Sequence, residues 1–161
     1  MTEPRTSDIC DLHAPQLRIL APLLHSFGGR ASCHGPVSTL KVFEDNALIR
    51  ATLEQPGGGS VLVVDGGGSL RCALVGDQLA KLAIANDWAG VILWGCIRDS
   101  EEIGNLPVFV SALATHPLRS VKHGTGERDV AVTFGGVRFM PGDYLYADAD
   151  GILVADRALD L

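Results

Sequence analysis

Apolar residues in the middle of the chain fall into short runs whose spacing predicts alternating strands and helices. Residues 61–64 form an unbroken, valine-rich run, which is typical of a strand buried on both faces. Between residues 77 and 86 the apolar positions recur at helical spacing, and residues 90–94 form a second buried strand. This stretch therefore predicts a β–loop–α–β unit, a parallel crossover that is almost always right-handed.

The flanking segments add further elements to this unit. Asp45 is expected to cap a helix over residues 46–55. Residues 130–134 and 137–140 flank a Gly-Gly pair and predict a hairpin, and two more strands are expected at 144–146 and 152–154. Strands of both directions in one chain predict an α/β fold with a mixed sheet.

Length and charge narrow the classes of protein that this chain can represent. The 161 residues suit one domain over 1–161, and 47% apolar residues exclude a disordered chain. A net charge of −6 disfavours direct binding to nucleic acid or to anionic membranes.

The N-terminus and the cysteines indicate where the protein acts. Residues 1–12 carry charges without an apolar run, and no apolar stretch approaches the roughly 20 residues that span a bilayer, so we expect a cytoplasmic protein. The cysteines at 10, 33, 72 and 96 are scattered without zinc-ligand spacing, which predicts reduced thiols.

Three segments lie where the strands of the predicted unit end, which is where open α/β sheets bind ligands. Residues 65–69 hold three glycines, residues 76–79 begin a helix whose free N–H groups can hold an anion, and residues 95–99 end in Arg98 and Asp99. Asp99 is also a simple anchor for a hard divalent cation such as Mg²⁺, which binds one or two carboxylates and keeps several waters.

Each of these features also has an ordinary interpretation. The three glycines are more often a plain turn, and the side chain of Asp77 is more often a helix N-cap than a ligand. Arg98 and Asp99 are as readily explained by a surface ion pair. The chain has no phosphate-binding P-loop, no elbow serine and no glycine loop suited to a nucleoside cofactor.

Several motifs, taken in order along nearly the whole chain, resemble the RraA family. They are VLVVDGGGSLRCALVGDQLA at 61–80, GCIRD at 95–99, GTGE at 124–127, FGGV at 134–137 and PGD at 141–143, with 148–151 beyond. That family includes the regulator of ribonuclease E activity A and the class II 4-hydroxy-4-methyl-2-oxoglutarate aldolases. Its Arg-Asp-x-x-acid pattern is present from Arg98 to Glu102.

The resemblance implies a swivelling-domain-like α/β/β sandwich, a homotrimer and active sites near the subunit interfaces. In aldolase members, the segment matching Gly76, Asp77, Gln78 and Leu79 and the arginine matching Arg98 bind the pyruvoyl part of a 2-oxo acid. The aspartate matching Asp99 binds a divalent metal, here Mg²⁺ or Mn²⁺.

The implied function is a metal-dependent carbon–carbon lyase, an aldolase with oxaloacetate decarboxylase activity through a shared pyruvate enolate. Arg98 and Asp99 are the expected catalytic residues. The base that takes the substrate's hydroxyl proton stays open between a water on the metal and a carboxylate of a neighbouring subunit, with Glu101 and Glu102 as weaker candidates. The alternative is a non-catalytic inhibitor that binds a ribonuclease E-type protein.

Overall fold

The computed structural model describes residues 3–161, and in that range the chain forms four α-helices, one 3₁₀ turn and twelve strands. The helices are α1 (Thr6–His13), α2 (Ala47–Leu53), α3 (Asp77–Ala85) and α4 (Ser100–Gly104), and the 3₁₀ turn is Ala14–Gln16. The strands are β1 (Arg18–Ile19), β2 (His25–Ser26), β3 (Cys33–Lys41), β4 (Val61–Asp65), β5 (Ala73–Val75), β6 (Gly90–Ile97), β7 (Phe109–Thr115), β8 (Glu127–Arg128), β9 (Val132–Phe134), β10 (Val137–Phe139), β11 (Tyr144–Ala147) and β12 (Ile152–Ala155).

Ten of the described strands form one mixed sheet, and β9 with β10 forms a separate hairpin. The main path runs β1-β12-β11-β3-β4-β6-β7-β2, with β5 beside β6 and β8 beside β3. The neighbours β3, β4, β6 and β7 are parallel, whereas β11, β12 and β1 are antiparallel. The carboxyl ends of the parallel strands therefore share one edge, which is where ligands collect in sheets of this kind.

Alternate residues of β4 point into two different apolar cores, which explains why the whole strand is buried. Leu62 and Val64 pack with residues of α2 and α3, while Val61 and Val63 pack with the β9–β10 hairpin and with β11 and β12. The layers are thus helices, parallel strands, and antiparallel strands with the hairpin. This arrangement confirms the α/β/β sandwich with a mixed sheet and a single domain.

The elements expected from periodicity are present, with small shifts at their ends. The parallel crossover from β4 through α3 to β6 is confirmed, as are the hairpin and the last two strands. The hairpin turns at Gly135 and Gly136, both with positive φ, which L-residues with a side chain adopt at a cost. The helix expected over 46–55 is shorter, and Asp45 accepts a hydrogen bond from its first residue, Ala47.

The longest strand, β3, has no counterpart among the predicted elements. Residues 33–36 pair with β11 and residues 37–41 pair with β4, so the strand joins the antiparallel and parallel parts of the sheet. Pro36 lies where the partner changes, a position at which its missing N–H is tolerated. Helix α1 and strand β7 were likewise not predicted.

The four cysteines are all free thiols, as predicted, and three of them are buried. Burial raises the pKa of Cys33 to about 12. No helix within residues 3–161 has the length and apolar character needed to cross a membrane.

Candidate functional site

A pocket of about 340 Å³ lies at the carboxyl edge of β5 and β6 and brings the predicted site residues together. Gly76, Asp77, Gln78 and Leu79 line it from the start of α3, which follows β5 directly. Arg98 and Asp99 line it from the end of β6. Because β5 and β6 are adjacent and parallel, their two following segments meet at one end of the sheet.

Asp99 contacts the start of α3 directly. The backbone N–H of Asp77 donates a hydrogen bond to Asp99 Oδ2 over 3.2 Å. A Cβ added at Gly76 would lie 2.8 Å from the same oxygen, so any side chain there would force this carboxylate to move. Asp99 itself has a φ of 57° and a ψ of 41°, a left-handed conformation that is uncommon outside glycine and is concentrated at functional sites.

The first turn of α3 leaves backbone donors facing the pocket. Gly76 is the N-cap, so the expectation that Asp77 caps the helix is wrong: Asp77 is its first residue. The N–H groups of Gln78 and Leu79 have no backbone carbonyl acceptor within the helix, and they carry the positive end of the helix dipole. An anion in the pocket can therefore accept hydrogen bonds from them.

The Asp77 carboxylate adds negative charge beside Asp99. Burial acts to raise the pKa of Asp77, but hydrogen bonding and the positive charge of Lys81 outweigh it and hold the pKa below its ordinary value. Lys81 Nζ lies 3.5 Å from Asp77 Oδ2 in an exposed pair on the helix surface. Lys81 is thus solvated, as its position on the helix predicts.

Arg98 supplies a half-buried positive charge to the pocket. Its backbone N–H donates to Val75 O over 2.9 Å, which fixes the end of β6 against the end of β5. Within residues 3–161 its guanidinium has no carboxylate at ion-pair distance, so the surface ion pair with Asp99 is not formed. The charge of Arg98 is available to a bound anion.

The donor set fits a hydrated divalent cation better than a metal cage made by protein alone. Among the described residues no cluster of three or more His, Cys, Asp or Glu side chains could hold a metal ion. Of the three carboxylates that line the pocket, Asp77 and Asp99 lie next to each other at the start of α3, and Glu54 lies at the end of α2. Hard cations such as Mg²⁺ bind one or two carboxylates and keep several waters, and Mn²⁺ accepts the same oxygen donors.

The glycine segment at 65–69 does not line this pocket, so its expected role in the site is wrong. Gly67 and Gly68 have φ values of 70° and turn the chain, with Asp65 Oδ1 accepting the Gly67 N–H over 2.8 Å. Side chains added there would meet Phe43 and Trp94. The glycines allow a tight turn against aromatic rings, which is the ordinary interpretation.

Five polar residues of the pocket were not found from the sequence. They lie on α2 and its two caps and on the segment after β7: Asn46, Arg50, Glu54, Arg119 and Lys122. The apolar run of β7 was the available signal, because a further parallel strand beside β6 sends its following segment to the same edge. Glu101 and Glu102 are exposed on α4 and lie outside the lining of the pocket.

The chain is a mixed α/β sandwich whose pocket places Arg98 and Asp99 beside the N-terminus of α3. Comparison with known proteins identifies the family. The sequence model of the RraA-like family, described as Aldolase/RraA, matches residues 6–154. The chain belongs to this family.

Similar proteins carry three kinds of name. The chain is 57% identical to a protein of Aromatoleum aromaticum named "Putative 4-hydroxy-4-methyl-2-oxoglutarate aldolase", over 98% of this chain and 99% of that one. The structure of the RNA-processing inhibitor RraA from Thermus thermophilis superposes with a TM-score of 0.95 at 48% identity, covering 99% and 96% of the two chains. A Geobacillus kaustophilus structure described as an S-adenosylmethionine: 2-dimethylmenaquinone methyltransferase gives 0.93 at 51%, covering 97% of each.

Proposed function

We propose that this protein is a divalent-metal-dependent aldolase that cleaves 4-hydroxy-4-methyl-2-oxoglutarate-type acids to pyruvate and a second 2-oxo acid. The observation that carries the proposal is the meeting of Arg98, Asp99 and the first turn of α3 in one pocket. A 2-oxo acid has the matching groups, an anionic carboxylate beside a carbonyl on which negative charge develops.

Different residues of the chain bind the substrate and stabilise the developing charge. The N–H groups of Gln78 and Leu79 bind the substrate carboxylate at the positive end of the helix. Arg98 donates to the 2-keto oxygen and stabilises the negative charge that builds there as the C3–C4 bond breaks. Asp99 and Asp77 would hold Mg²⁺ or Mn²⁺, and that cation supplies Lewis acidity that polarises the keto group.

The same arrangement serves two reactions with one intermediate. In aldol cleavage the electron pair of the C3–C4 bond moves to C3, the C4 hydroxyl loses its proton to become the carbonyl of the second product, and the enolate takes up a proton to give pyruvate. In oxaloacetate the bond to the leaving carboxylate breaks instead, which releases CO₂ and the same enolate. Arg98 faces the same developing charge in both reactions, so oxaloacetate decarboxylation is part of the proposal.

Release of pyruvate from the two substrates tests the proposal. We expect turnover with Mg²⁺ or Mn²⁺ above the rate of the metal ion alone, loss of turnover on chelation, and recovery when the metal returns. Asp99→Asn should lower the rate by about 100-fold or more, because it removes a charged metal ligand.

Asp87→Asn is the matched control, because Asp87 is an exposed aspartate with a φ of 61° at the far end of α3. It tests a change of the same kind in the same backbone conformation, away from the pocket, and should leave the rate unchanged. Turnover that survives chelation, or that Asp99→Asn leaves intact, would contradict the metal-dependent reaction.

Assembly as a homotrimer is part of this proposal. The exposed apolar side chains of Leu118 and Val121 flank the pocket-lining residues Arg119 and Lys122, and Phe43 and Leu70 are exposed on the neighbouring loops. Burying them against a second copy would remove apolar surface from water beside the site. Sedimentation at micromolar concentration should give three times the mass of the chain, and a monomer would refute the assembly.

The similarity to RraA favours a second candidate, a protein that inhibits a ribonuclease E-type enzyme by binding it. The net charge of −6 suits a basic, RNA-binding partner. Cleavage of an RNA substrate by such an enzyme, measured with and without this protein, tests the idea. Inhibition that Asp99→Asn retains, in a protein without lyase turnover, would favour binding over catalysis.

A further inference from the structure

A buried carboxylate stands behind one wall of the pocket. Asp45 is 1% exposed and precedes Asn46, the N-cap of α2. Its Oδ2 accepts hydrogen bonds from the backbone N–H groups of His123 and Thr125, each over 3.0 Å, and from the Thr125 hydroxyl over 2.9 Å. Its Oδ1 accepts from the Ala47 N–H over 3.1 Å. One side chain thus ties the start of α2 to the segment at residues 119–125.

This segment is held at both ends and in its middle, where the Asn46 N–H donates to Ser120 Oγ over 3.1 Å and to Val121 O over 3.4 Å, and it carries positive charge into the pocket. At its beginning, Ala73 N–H donates to Leu118 O over 2.7 Å, and at its end Asp45 binds Thr125. Arg119 and Lys122 lie between these anchors and line the pocket. Neither has a carboxylate at ion-pair distance among residues 3–161, whereas Arg50 of the same pocket lies 3.2 Å from Glu54.

We infer that Asp45 is a positioning residue that holds Arg119 and Lys122 where they bind a second carboxylate of the substrate. The inference rests on the proposed function and extends it from the reacting end of the substrate to its far end. Two anion sites line one pocket: the first turn of α3, whose N–H groups receive the carboxylate next to the keto group, and the pair Arg119 and Lys122 on the segment after β7. A 2-oxo diacid presents one carboxylate to each site, whereas a monoacid leaves Arg119 and Lys122 without a partner.

The conservative variant Asp45→Asn breaks the anchor while almost preserving its shape. Both carboxylate oxygens of Asp45 face N–H or O–H donors, and asparagine offers only one acceptor oxygen. In either orientation its NH₂ group faces a donor. The segment is expected to loosen, and the two cations lose their fixed position.

Binding of two five-carbon ligands separates positioning from general structural support. The ligands are 2-oxoglutarate, a diacid, and 2-oxopentanoate, which has the same chain length without the far carboxylate. Calorimetry with Mg²⁺ present should show the wild type binding 2-oxoglutarate more tightly. Asp45→Asn should lower the affinity for 2-oxoglutarate by about tenfold, which is the scale of one charged hydrogen bond. It should change the affinity for 2-oxopentanoate by less than about twofold.

Asp148→Asn is the control for damage to the fold. Asp148 is also a partly buried carboxylate bound by a threonine, through Thr6 N–H at 2.8 Å and Thr6 Oγ1 at 2.6 Å, but it lies outside this pocket. Asp148→Asn should leave the ratio of the affinities for 2-oxoglutarate and 2-oxopentanoate unchanged. Lys122→Ala should reproduce the loss of affinity for the diacid. The double variant with Asp45→Asn should lose less binding free energy than the two single variants together, because the two residues act together.

The outcomes distinguish this inference from the proposed reaction. Equal weakening of both ligands, or a wild type that does not prefer the diacid, would overturn the role of Asp45. Loss confined to the diacid would support it. If the variants show this pattern of affinities but the wild type does not turn over 4-hydroxy-4-methyl-2-oxoglutarate, the role of Asp45 in binding is supported and the lyase reaction is refuted.

Discussion

The parallel and antiparallel sides of the sheet use their aspartates differently. On the antiparallel side, Asp143 is buried and its Oδ2 accepts from Arg18 Nη2 over 2.6 Å and from Met140 N–H over 2.8 Å. At the parallel edge, Asp99 is half-buried, takes a left-handed backbone and accepts one backbone hydrogen bond, from Asp77. The charge of Asp143 is paired with Arg18, whereas Asp99 has no cation at ion-pair distance among residues 3–161 and its charge is available to a ligand.

From this difference we infer that charged groups on the antiparallel side serve stability, and we propose that those at the parallel edge serve binding. Changes at Arg98 or Gly76 should therefore alter activity with little loss of stability. Changes at Asp143 should do the reverse. Asp45, which is buried yet lies behind the pocket, combines both properties.

The largest effect is expected for Arg98→Ala. Removing the cation that faces the developing negative charge should lower the rate of pyruvate release by about 100 to 1,000-fold, and Arg98→Lys should recover part of it because charge remains without the planar fork. The melting temperature should hardly change. Arg138→Ala, an exposed arginine on the β9–β10 hairpin, is the control. A loss of rate below tenfold for Arg98→Ala would contradict the distinction between the parallel and antiparallel sides of the sheet.

Gly76→Ala should produce the next largest effect. The new Cβ would lie 2.8 Å from Asp99 Oδ2 and would push the carboxylate out of place, which we expect to lower the rate by about 10 to 100-fold. Gly151→Ala is a matched control on the antiparallel side, because no atom lies within 4 Å of its added Cβ. Equal rates for the two variants would show that the position of Asp99 does not matter for turnover.

Asp143→Ala should lower stability by about 2 kcal/mol and the melting temperature by roughly 4–8 °C, since it removes a buried carboxylate that accepts from both Arg18 and the Met140 N–H. Turnover should stay within about twofold of the wild type. Arg18 also contacts Asp156, whose side chain is 88% exposed, so Asp156→Ala tests the exposed half of the same network and should cost less than about 0.5 kcal/mol. Urea unfolding and the assay, run on the same samples, measure both quantities.

The smallest effect is the response of Asp45 to pH. Burial acts to raise its pKa, but hydrogen bonds from Thr125, Ala47 and His123 outweigh it and hold the pKa below the ordinary value of 3.8. Its stabilisation is therefore complete above the unfolded pKa and is lost as pH falls through the lower folded value. The difference in unfolding free energy between wild type and Asp45→Asn should shrink as pH falls from about 5 to about 2. A difference that does not vary with pH would contradict this.

The sequence alone was sufficient for the class of fold and for the centre of the site. The run at 61–64 and the helical spacing after Asp77 identified a parallel crossover, and that topology placed Arg98, Asp99 and the start of α3 at one edge. The motifs at 61–80 and 95–99 identified the family. These features are local, because a strand and the turn that follows it are close in sequence.

Tertiary structure decided the rest, because it depends on contacts between residues far apart in the chain. Strand β3 carries a proline that argues against a central strand, and only its two successive partners, β11 and β4, explain it. Arg119 and Lys122 join Arg98 in the pocket because β7 lies beside β6 and Asp45 binds residues 78 and 80 positions further along the chain. Such distant pairings leave no periodicity in a single sequence, so the far wall of the pocket became visible only in the folded chain.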